Sequence, residues 1–438
     1  MRHYVATFSL LLWTVLAVAV VLARPAQAQT YHVIYNFTGG ADGSGPDAGL
    51  AMDRGGNFYG TTGYGGYMGG DCQAGCGTVF RLAPKASGWI FTPLYAFQGG
   101  DDGHYATAGV VIGSNGSLYG TTLYGGGGDI CPQHQGYPGC GTAFSLSPPP
   151  TVCKTAVCPW TETVLHRFSG GSDGGFPNYF GSLVFDRAGN LYGTTSTGGS
   201  NILGCYPEFG GCGIVFELTP AGGEWSEVVI YNFTNPQGAA IPESGVIRDQ
   251  AGNLYGTTLE GAYNWGTVFE LSPSGSGWTL NALYSFPASG NDGELPYGGL
   301  ALDPSGNLFG STSQAGPDNG GTAYELIRSP DSWTFVQIYA FSRSGFPEPS
   351  GPYASLTMDA AGNLYGTTWS DGAYGRGSIF KLAPSNGGWT YASLHDFTGG
   401  LDGAGSFGSV TLDANGNLYG TAGGGGAYGY GVVWEITP

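Results

Sequence analysis

The chain has 438 residues, of which 84 are glycine and only 10% are charged. It carries 13 basic and 31 acidic residues, and its net charge of −18 opposes binding to nucleic acid and to anionic membrane surfaces. So much glycine with so little charge favours many tight turns and short strands over helices.

Residues 1–28 have the layout of a secretory signal peptide. Arg2 gives a positive start, Val5–Leu22 carries no charge, and Ala26–Ala28 has the small-residue pattern of a cleavage site. An uncleaved membrane anchor is the alternative, because the uncharged run is about as long as the shortest membrane span. Cleavage would leave 11 bases and 31 acids, a net charge of −20. We expect residues 29–438 to fold as one exported, monomeric domain with no membrane span.

A short phrase, GNLYGTT, is repeated along the chain. It occurs unchanged at 189–195, 252–258 and 362–368, and variants extend it to seven copies at intervals of 60, 73, 63, 54, 56 and 54 residues. Such a period is typical of repeat architectures. The copies are centred on Tyr59, Tyr119, Tyr192, Tyr255, Phe309, Tyr365 and Tyr419.

Three other phrases accompany each copy. A phrase like GLAMD (49–53) precedes it, one like GTVFRL (77–82) follows, and a segment ending like LYAF (94–97) comes last. Each is short, rich in Val, Leu, Tyr, Phe and Thr, and bounded by turn residues, which indicates β-strands. Four strands in each of seven units predict an all-β, seven-bladed β-propeller.

The two ends of the chain favour a closed ring over an open solenoid. Tyr31–Phe37 is a fourth-strand phrase with no partners before it, and Val432–Ile436 is a third-strand phrase with no fourth strand after it. If the two segments pair, the last blade is complete and no sheet edge stays open at the junction.

The repeated phrase has a structural interpretation. Asp186 begins a turn, Gly189 suits its left-handed position, and Gly193 lies in mid-strand, where glycine is costly unless another group approaches closely. We expect Gly193 and its counterparts to make room for an aromatic side chain from the adjacent sheet. Seven identical sites with almost no titratable group would be a poor catalytic arrangement.

The repeat D-x-x-G-N-L-Y-G-T-T…G-x-G-T-V-F-x-L resembles the GloVer (Gloeo_Verruco) tandem repeat of exported bacterial proteins, and the resemblance covers nearly all of residues 31–438. It implies a cell-surface or secreted protein, often with a C-terminal sorting anchor, and no established activity. Here Pro438 follows a strand phrase without a hydrophobic tail, so we expect a protein that is released or held by a partner.

The eight cysteines fall in neighbouring pairs. Zinc sites favour closer CxxC-like clusters, often with histidine, and this spacing is absent from the sequence. Export to an oxidising compartment favours four short disulfides that pin surface loops. The pairs are Cys72/Cys76, Cys131/Cys140, Cys153/Cys158 and Cys205/Cys212.

Two loop sets should emerge on one face of the propeller, here called the upper face. One set joins each fourth strand to the next first strand and carries a Gly-Asp-Gly theme, with acids at Asp42, Asp102, Asp173, Asp292 and Asp402. Asp-Gly is foremost a turn dipeptide. The alternative is a ring of carboxylates that binds Ca²⁺; no other cofactor is expected.

The other set joins second and third strands and is rich in glycine and aromatic residues. Flat rings beside polar groups suit carbohydrate recognition, although the rings could instead cap the blades and pack on one another. The candidate ligand-binding residues are Tyr64, Tyr124, Tyr263, Trp265, Trp369, Tyr374, Tyr428 and Tyr430.

Catalytic signals are poor. Gly170–Gly174 fits G-x-S-x-G, but the motif needs a strand-to-helix elbow. We therefore expect a secreted, non-enzymatic protein that binds a polysaccharide or an envelope component. The alternatives are an extracellular polysaccharide hydrolase or lyase with an Asp/Glu pair on the upper face, and a purely structural surface protein. The upper-face acids to test are Glu208, Glu243, Glu260, Glu294 and Glu348.

Overall fold

A computed structural model describes residues 29–127, 131, 138–150, 159–200, 205, 210–234, 238–261, 265–275, 277–342 and 351–438. These residues form seven antiparallel blades of four main strands each, arranged in a ring, which confirms the predicted propeller. Residues 1–28, the predicted signal peptide, lie outside the described residues. Within the described ranges, no helix is long and apolar enough to cross a membrane.

The strands of each blade run from the centre of the ring outward. Blade 1 contains Ala51–Met52, Phe58–Thr62, Thr78–Lys85 and Gly88–Ala96. Blade 2 contains Val111–Ile112, Leu118–Thr122, Thr142–Ser147 and Thr161–Arg167. Blade 3 contains Val184–Phe185, Leu191–Thr197, Ile214–Ala221 and Glu224–Asn232. Blade 4 contains Ile247–Arg248, Leu254–Thr258, Thr267–Ser274 and Gly277–Ser285.

The remaining blades follow the same order. Blade 5 contains Ala301–Leu302, Leu308–Ser311, Asn319–Ser329 and Ser332–Ser342. Blade 6 contains Thr357–Met358, Leu364–Thr368, Ser378–Ser385 and Gly388–Asp396. Blade 7 contains Thr411–Leu412, Leu418–Ala422, Val432–Thr437 and Thr30–Asn36. The other elements are the short strands Gly175–Pro177, Ala239–Ala240 and Glu260–Gly261 and the 3₁₀ turn Gly100–Asp102.

The N-terminal strand closes the ring. Thr30–Asn36 pairs antiparallel with Val432–Thr437, with Tyr31 opposite Ile436 and Val33 opposite Trp434. This is the pairing that the two chain ends predicted. It supplies the fourth strand of blade 7, so that the first and last segments of the described chain belong to one sheet.

The first threonine of each repeated phrase, or the serine in its place, links its blade to the next. In blade 3, Thr194 Oγ1 donates a hydrogen bond of 2.7 Å to the Ser244 carbonyl oxygen, in the loop that enters blade 4. In blade 7, Thr421 Oγ1 donates a hydrogen bond of 2.8 Å to the Ala48 carbonyl oxygen, in the loop that enters blade 1. The other five donor–acceptor pairs are Thr61–Ala108, Thr121–Pro177, Thr257–Gly298, Ser311–Ala354 and Thr367–Gly408.

The aromatic residue of the phrase makes a second interblade contact. Tyr192 of blade 3 packs against Trp278, at the start of the fourth strand of blade 4, with ring centroids 6.3 Å apart. The tyrosine hydroxyl also donates to Glu217, in the third strand of its own blade, at 3.1 Å. One ring therefore ties the third strand of its own blade to the outer strand of the next. The equivalent pairs are Tyr59–Trp160, Tyr119–Trp225, Tyr255–Trp333, Phe309–Trp389 and Tyr419–Trp89.

The mid-strand glycine makes room for an aromatic ring, but the expected source of the ring was wrong. A Cβ at Gly193 would lie 2.5 Å from Phe216 Cζ, and one at Gly256 would lie 2.6 Å from Phe269 Cζ. Phe216 and Phe269 are the cross-strand partners of these glycines in the third strand of the same blade, not residues of the adjacent sheet. The glycine therefore lets each blade bury its own phenylalanine.

Replacing Thr194 by valine should destabilise the fold by about 1–3 kcal/mol, because the buried Ser244 carbonyl oxygen loses its donor while the side-chain volume is kept. Thr279→Val, at an exposed position on an outer strand, is the matched control and should change stability by less than about 0.5 kcal/mol. Urea unfolding of both variants measures the difference. Equal midpoints for the two would show that the interblade bond contributes nothing.

Candidate functional site

The two loop sets of the upper face pair with each other within a blade. Ser44 bridges Tyr64 in blade 1, and Ala404 bridges Gly424 in blade 7. The short strand Gly175–Pro177 pairs with the end of Leu191–Thr197 in the same way. The two sets therefore form one continuous layer on the same face, as the sequence predicted.

A repeated backbone position in this layer is strained in several blades. Tyr105, Phe176 and Ile241 have φ values of 64°, 56° and 61°, in the left-handed region that non-glycine residues rarely adopt. The equivalent residues are Gly45 in blade 1 and Gly405 in blade 7, at 62° and 61°. At the two glycines the neighbouring space is taken by aromatic side chains of the loops, since a Cβ at Gly405 would lie 3.1 Å from Trp369 and one at Gly45 would lie 3.4 Å from Tyr64.

Three disulfides lie in loops whose backbone contacts the strained residues of the next blade. The structure confirms the bonds Cys72–Cys76, Cys131–Cys140 and Cys205–Cys212, whereas Cys153 and Cys158 lie outside the described residues. The carbonyl oxygen of the second cysteine accepts the amide of the strained residue in the next loop. These bonds are Tyr105 N to Cys76 O at 3.0 Å, Phe176 N to Cys140 O at 2.8 Å and Ile241 N to Cys212 O at 2.9 Å.

The predicted ligand-binding aromatics separate into exposed and packed residues. Tyr374, Tyr428 and Tyr430 are 59%, 61% and 48% exposed, on the loops of blades 6 and 7. Tyr124 is buried, and Trp265 packs against the core between blades 4 and 5. Neither therefore belongs to the exposed surface that the sequence predicted. Tyr263 lies outside the described residues.

An open cavity of about 540 Å³, here called the aromatic cleft, lies where the loops of blades 6, 7 and 1 meet. Trp369 stacks on Phe407 in its lining, with centroids 5.7 Å apart and planes 27° apart. Tyr64 and Tyr430 complete its aromatic lining, and Arg376 and Asp47 are its charged residues. Much of the remaining wall is glycine, so a ligand could approach the backbone closely. The glycines are Gly45, Gly375, Gly405, Gly423, Gly424 and Gly429.

Aromatic rings also close the upper end of the central channel. Phe180, Tyr297, Tyr353 and Phe407 come from the loops that enter blades 3, 5, 6 and 7, and neighbouring centroids are 4.8–5.9 Å apart. Below them lies a cavity of about 340 Å³ lined by the inner strands. The channel is therefore not an open pore at this face.

Two carboxyl groups occupy the same repeat position as these rings. Asp47 follows Pro46 and Glu243 follows Pro242, as Tyr297 follows a proline in blade 5. Both are partly exposed at a cavity wall but enclosed by protein, and this burial raises the pKa of Asp47 to about 6 and of Glu243 to about 7. Burial is the only cause, because no described residue donates a hydrogen bond to either carboxylate.

Asp47 and Glu243 line different cavities. Asp47 lies in the aromatic cleft, whereas Glu243 lies in a smaller cavity among blades 2, 3 and 4. Glu243 was among the acids that the sequence indicated, whereas Asp47 was not. A comparison of the residues that follow the loop proline, in the repeats that have this proline, would have indicated Asp47 as well. Of the other acids, Glu260 and Glu294 belong to paired loop segments, and Glu208 and Glu348 lie outside the described residues.

The Gly-Asp-Gly carboxylates bind their own loops. Asp42 accepts bonds from the Thr38 amide at 2.9 Å and the Tyr35 hydroxyl at 2.9 Å. In blades 2 and 6, histidine stands in place of this tyrosine. There His166 contacts Asp173 and His395 contacts Asp402 in the same way. Asp102 and Asp292 also accept a tyrosine hydroxyl. These contacts favour the turn interpretation over the calcium one, and the described residues contain no group of three potential metal ligands.

A sequence model of the Gloeobacter/Verrucomicrobia repeat matches residues 20–207 and 280–438, more than half of the chain. The protein belongs to this repeat family. Family membership agrees with the resemblance that the repeated phrase showed. The comparison with curated proteins gave no match.

Solved structures with similar folds are distant in sequence. A fungal alcohol oxidase of the AA5 family, in complex with copper, has a TM-score of 0.55 at 13% identity, covering 94% of this chain and 77% of the other. An ancestral GH74 enzyme has a TM-score of 0.50 at 12% identity, covering 90% of this chain but only 51% of that enzyme. A PL25 ulvan lyase has a TM-score of 0.49 at 11% identity, covering 90% and 94%. At such identities the likeness establishes the propeller fold alone.

The raised pKa of Asp47 makes stability depend on pH. The folded state binds the proton of Asp47 more tightly than the unfolded state does. The resulting stabilisation is complete below pH 3.8, the pKa of the unfolded state, and is lost as the pH rises through about 6, the pKa of the folded state. Asp47→Asn should therefore raise stability at pH 8 by about 1–2 kcal/mol, after discounting for partial exposure, and should change it little at pH 4. Thermal unfolding at the two pH values measures this.

Asp359→Asn is the control with the opposite sign. Desolvation raises the pKa of Asp359, but hydrogen bonds from Asn363, Tyr365 and Ala361 outweigh it and lower the pKa overall. Its ionised form therefore stabilises the fold, and the substitution should lower stability at pH 8. A loss of stability at pH 8 in Asp47→Asn as well would contradict the assignment of Asp47 as a desolvated group.

Proposed function

We propose that the protein is an exported polysaccharide-binding protein and that the aromatic cleft is its binding site. The observation that carries the proposal is an open cleft lined by the stacked pair Trp369 and Phe407 and by the exposed Tyr430. The exposed Tyr374 and Tyr428 each directly precede a lining glycine, Gly375 and Gly429. Elsewhere on the upper face, Tyr124 and Trp265 are packed inside. The exposed rings are therefore concentrated at one place on the ring.

The lining of the cleft suits a sugar chain. Aromatic faces pack on the apolar faces of pyranose rings, while Asp47, Arg376 and backbone groups of the glycine-rich wall can bind hydroxyl groups. The cleft is open rather than enclosed, as a long polymer needs. The confirmed disulfides fit export to an oxidising compartment, where such polymers are found.

Tyr428→Ala and Tyr430→Ala should each weaken binding to a recognised polysaccharide about five- to tenfold, because one stacking ring contributes about 1–1.4 kcal/mol. Both rings are exposed, so folding should not change. Affinity electrophoresis against neutral and uronic-acid polysaccharides measures the loss, with Val228→Ala on an outer strand as the control. If no polysaccharide binds, or if both variants bind as tightly as the parent protein, the proposal is wrong.

A second candidate, cleavage of the bound glycan, is favoured by Asp47 alone. A carboxyl group that keeps its proton to about pH 6 can act as a general acid. Asp47 would donate its proton to the glycosidic oxygen, which leaves with the electron pair of the broken C–O bond. Water would then add to the anomeric carbon and return a proton to the Asp47 carboxylate. Because Glu243 lines another cavity, the predicted Asp/Glu pair has no support within one site.

An assay for new reducing ends distinguishes the two candidates. If the cleft is catalytic, Asp47→Asn should abolish cleavage, at least about a hundredfold, while it retains polysaccharide binding. Glu243→Gln is the matched control outside the cleft and should cleave normally. Binding without any release of reducing ends by the parent protein would leave recognition as the function and exclude cleavage of that polysaccharide.

A further inference from the structure

A second cavity on the upper face, of about 250 Å³, has a different character from the aromatic cleft. We call it the glutamate pocket; it lies among the loops of blades 2, 3 and 4. Its lining is mostly apolar, with one carboxyl group, that of Glu243. It is smaller than a typical pocket for a drug-sized ligand, so it suits a small molecule or head group. The main apolar and aromatic lining residues are Leu123, Tyr124, Phe176, Tyr179, Ile241 and Leu259.

The fold builds this pocket at an energetic cost. Phe176 and Ile241 line it from the strained left-handed position, which costs about 1–3 kcal/mol for each residue. Their amides are held by the carbonyl oxygens of Cys140 and Cys212, both in disulfides. In blades 1 and 7 glycine occupies the same position and contributes no side chain. The aromatic cleft therefore lacks the apolar walls that Phe176 and Ile241 give to the glutamate pocket.

Three of the walls are aromatic. Tyr124 and Phe176 meet edge to face, with centroids 5.7 Å apart and planes 78° apart, so that their rings form a corner. Tyr179 lies close enough to Glu243 for the carboxylate to help raise the tyrosine pKa, after desolvation, which is the larger cause. Aromatic faces attract cations, and a carboxylate in low-dielectric surroundings strengthens that attraction.

The charge of Glu243 selects among ligands. A plain hydrocarbon would leave the carboxylate of Glu243 without a partner. A sugar could hydrogen-bond to it but would find few further polar partners in a mostly apolar lining. An anion would be repelled by Glu243 and by a protein whose net charge is strongly negative. A small organic cation satisfies the carboxylate and the rings together.

We propose that the glutamate pocket binds an alkylammonium head group, with Glu243 as counter-ion and Tyr124, Phe176 and Tyr179 as its aromatic walls. The site is independent of the aromatic cleft, because the two cavities share no lining residue. The ammonium group could belong to a free small molecule or to a substituent of a larger envelope component; the recognised chemistry is the same.

Calorimetric titration of the mature protein at pH 8 tests the proposal with choline as the probe. Its uncharged isostere, 3,3-dimethylbutan-1-ol, has the same shape without the positive charge. We expect choline to bind at least about tenfold more tightly than the isostere, and Glu243→Gln to remove that preference. Tyr179→Leu, at the partly exposed ring beside Glu243, should weaken choline binding about five- to thirtyfold through loss of a cation–π contact.

Asp47→Asn is the control, since it removes a carboxylate of similar setting from the other cavity, and it should bind choline normally. Near-ultraviolet circular dichroism of Glu243→Gln confirms its fold. Equal binding of choline and the isostere would reduce the pocket to an apolar cavity, and absence of choline binding would overturn the proposal. A polysaccharide titration of Glu243→Gln, expected to be unchanged, separates this result from the proposed glycan function.

Discussion

The hydrogen bond between each blade and the next is the interaction on which the rest of this structure depends. Six threonines and one serine donate a side-chain hydroxyl to a backbone carbonyl in the loop that enters the following blade, and the seventh bond, from Thr421 to Ala48, completes the circle. Each bond is buried, where an unpaired carbonyl would be costly. The loops that receive these bonds also carry Asp47, Glu243 and the four aromatic rings that close the upper end of the channel. The interblade contacts and the candidate sites are therefore built from the same segments.

A single backbone position divides the upper face into two kinds of surface. Gly45 and Gly405 lie in the wall of the aromatic cleft, whereas Phe176 and Ile241 present side chains that wall the glutamate pocket. The amide at this position donates to a backbone carbonyl of the preceding blade, both where the acceptor is a disulfide-bonded cysteine, as for Phe176, and where it is not, as for Leu295. The repeated backbone therefore sets this position, and the disulfides of blades 2 and 3 add a covalent restraint to the loops that carry the acceptors Cys140 and Cys212.

The carboxyl groups of this acidic protein have two distinct environments. Asp186 and Asp42 are saturated by turn hydrogen bonds and serve the backbone. Asp47 and Glu243 stand where other blades have aromatic residues of the channel mouth, and they are desolvated without a hydrogen-bond donor among the described residues. Equivalent positions in a repeat protein thus carry structural side chains in some blades and titratable, cavity-facing side chains in others.

The sequence alone determined the number of blades, the order of their strands and the closure of the ring, because these follow from local strand patterns and from the offset of the repeat at the two ends. It also predicted the three cysteine pairs that the described residues confirm, because the partners are only four to nine residues apart. Only the tertiary structure decided that Tyr124 is buried while Tyr430 is exposed, that the phenylalanine beside Gly193 belongs to its own sheet, and that Asp47 lies in a cleft. These outcomes depend on which loops of different blades meet above the ring. Residues more than 300 positions apart, such as Asp47 and Trp369, share one cavity there, and no local pattern records that contact.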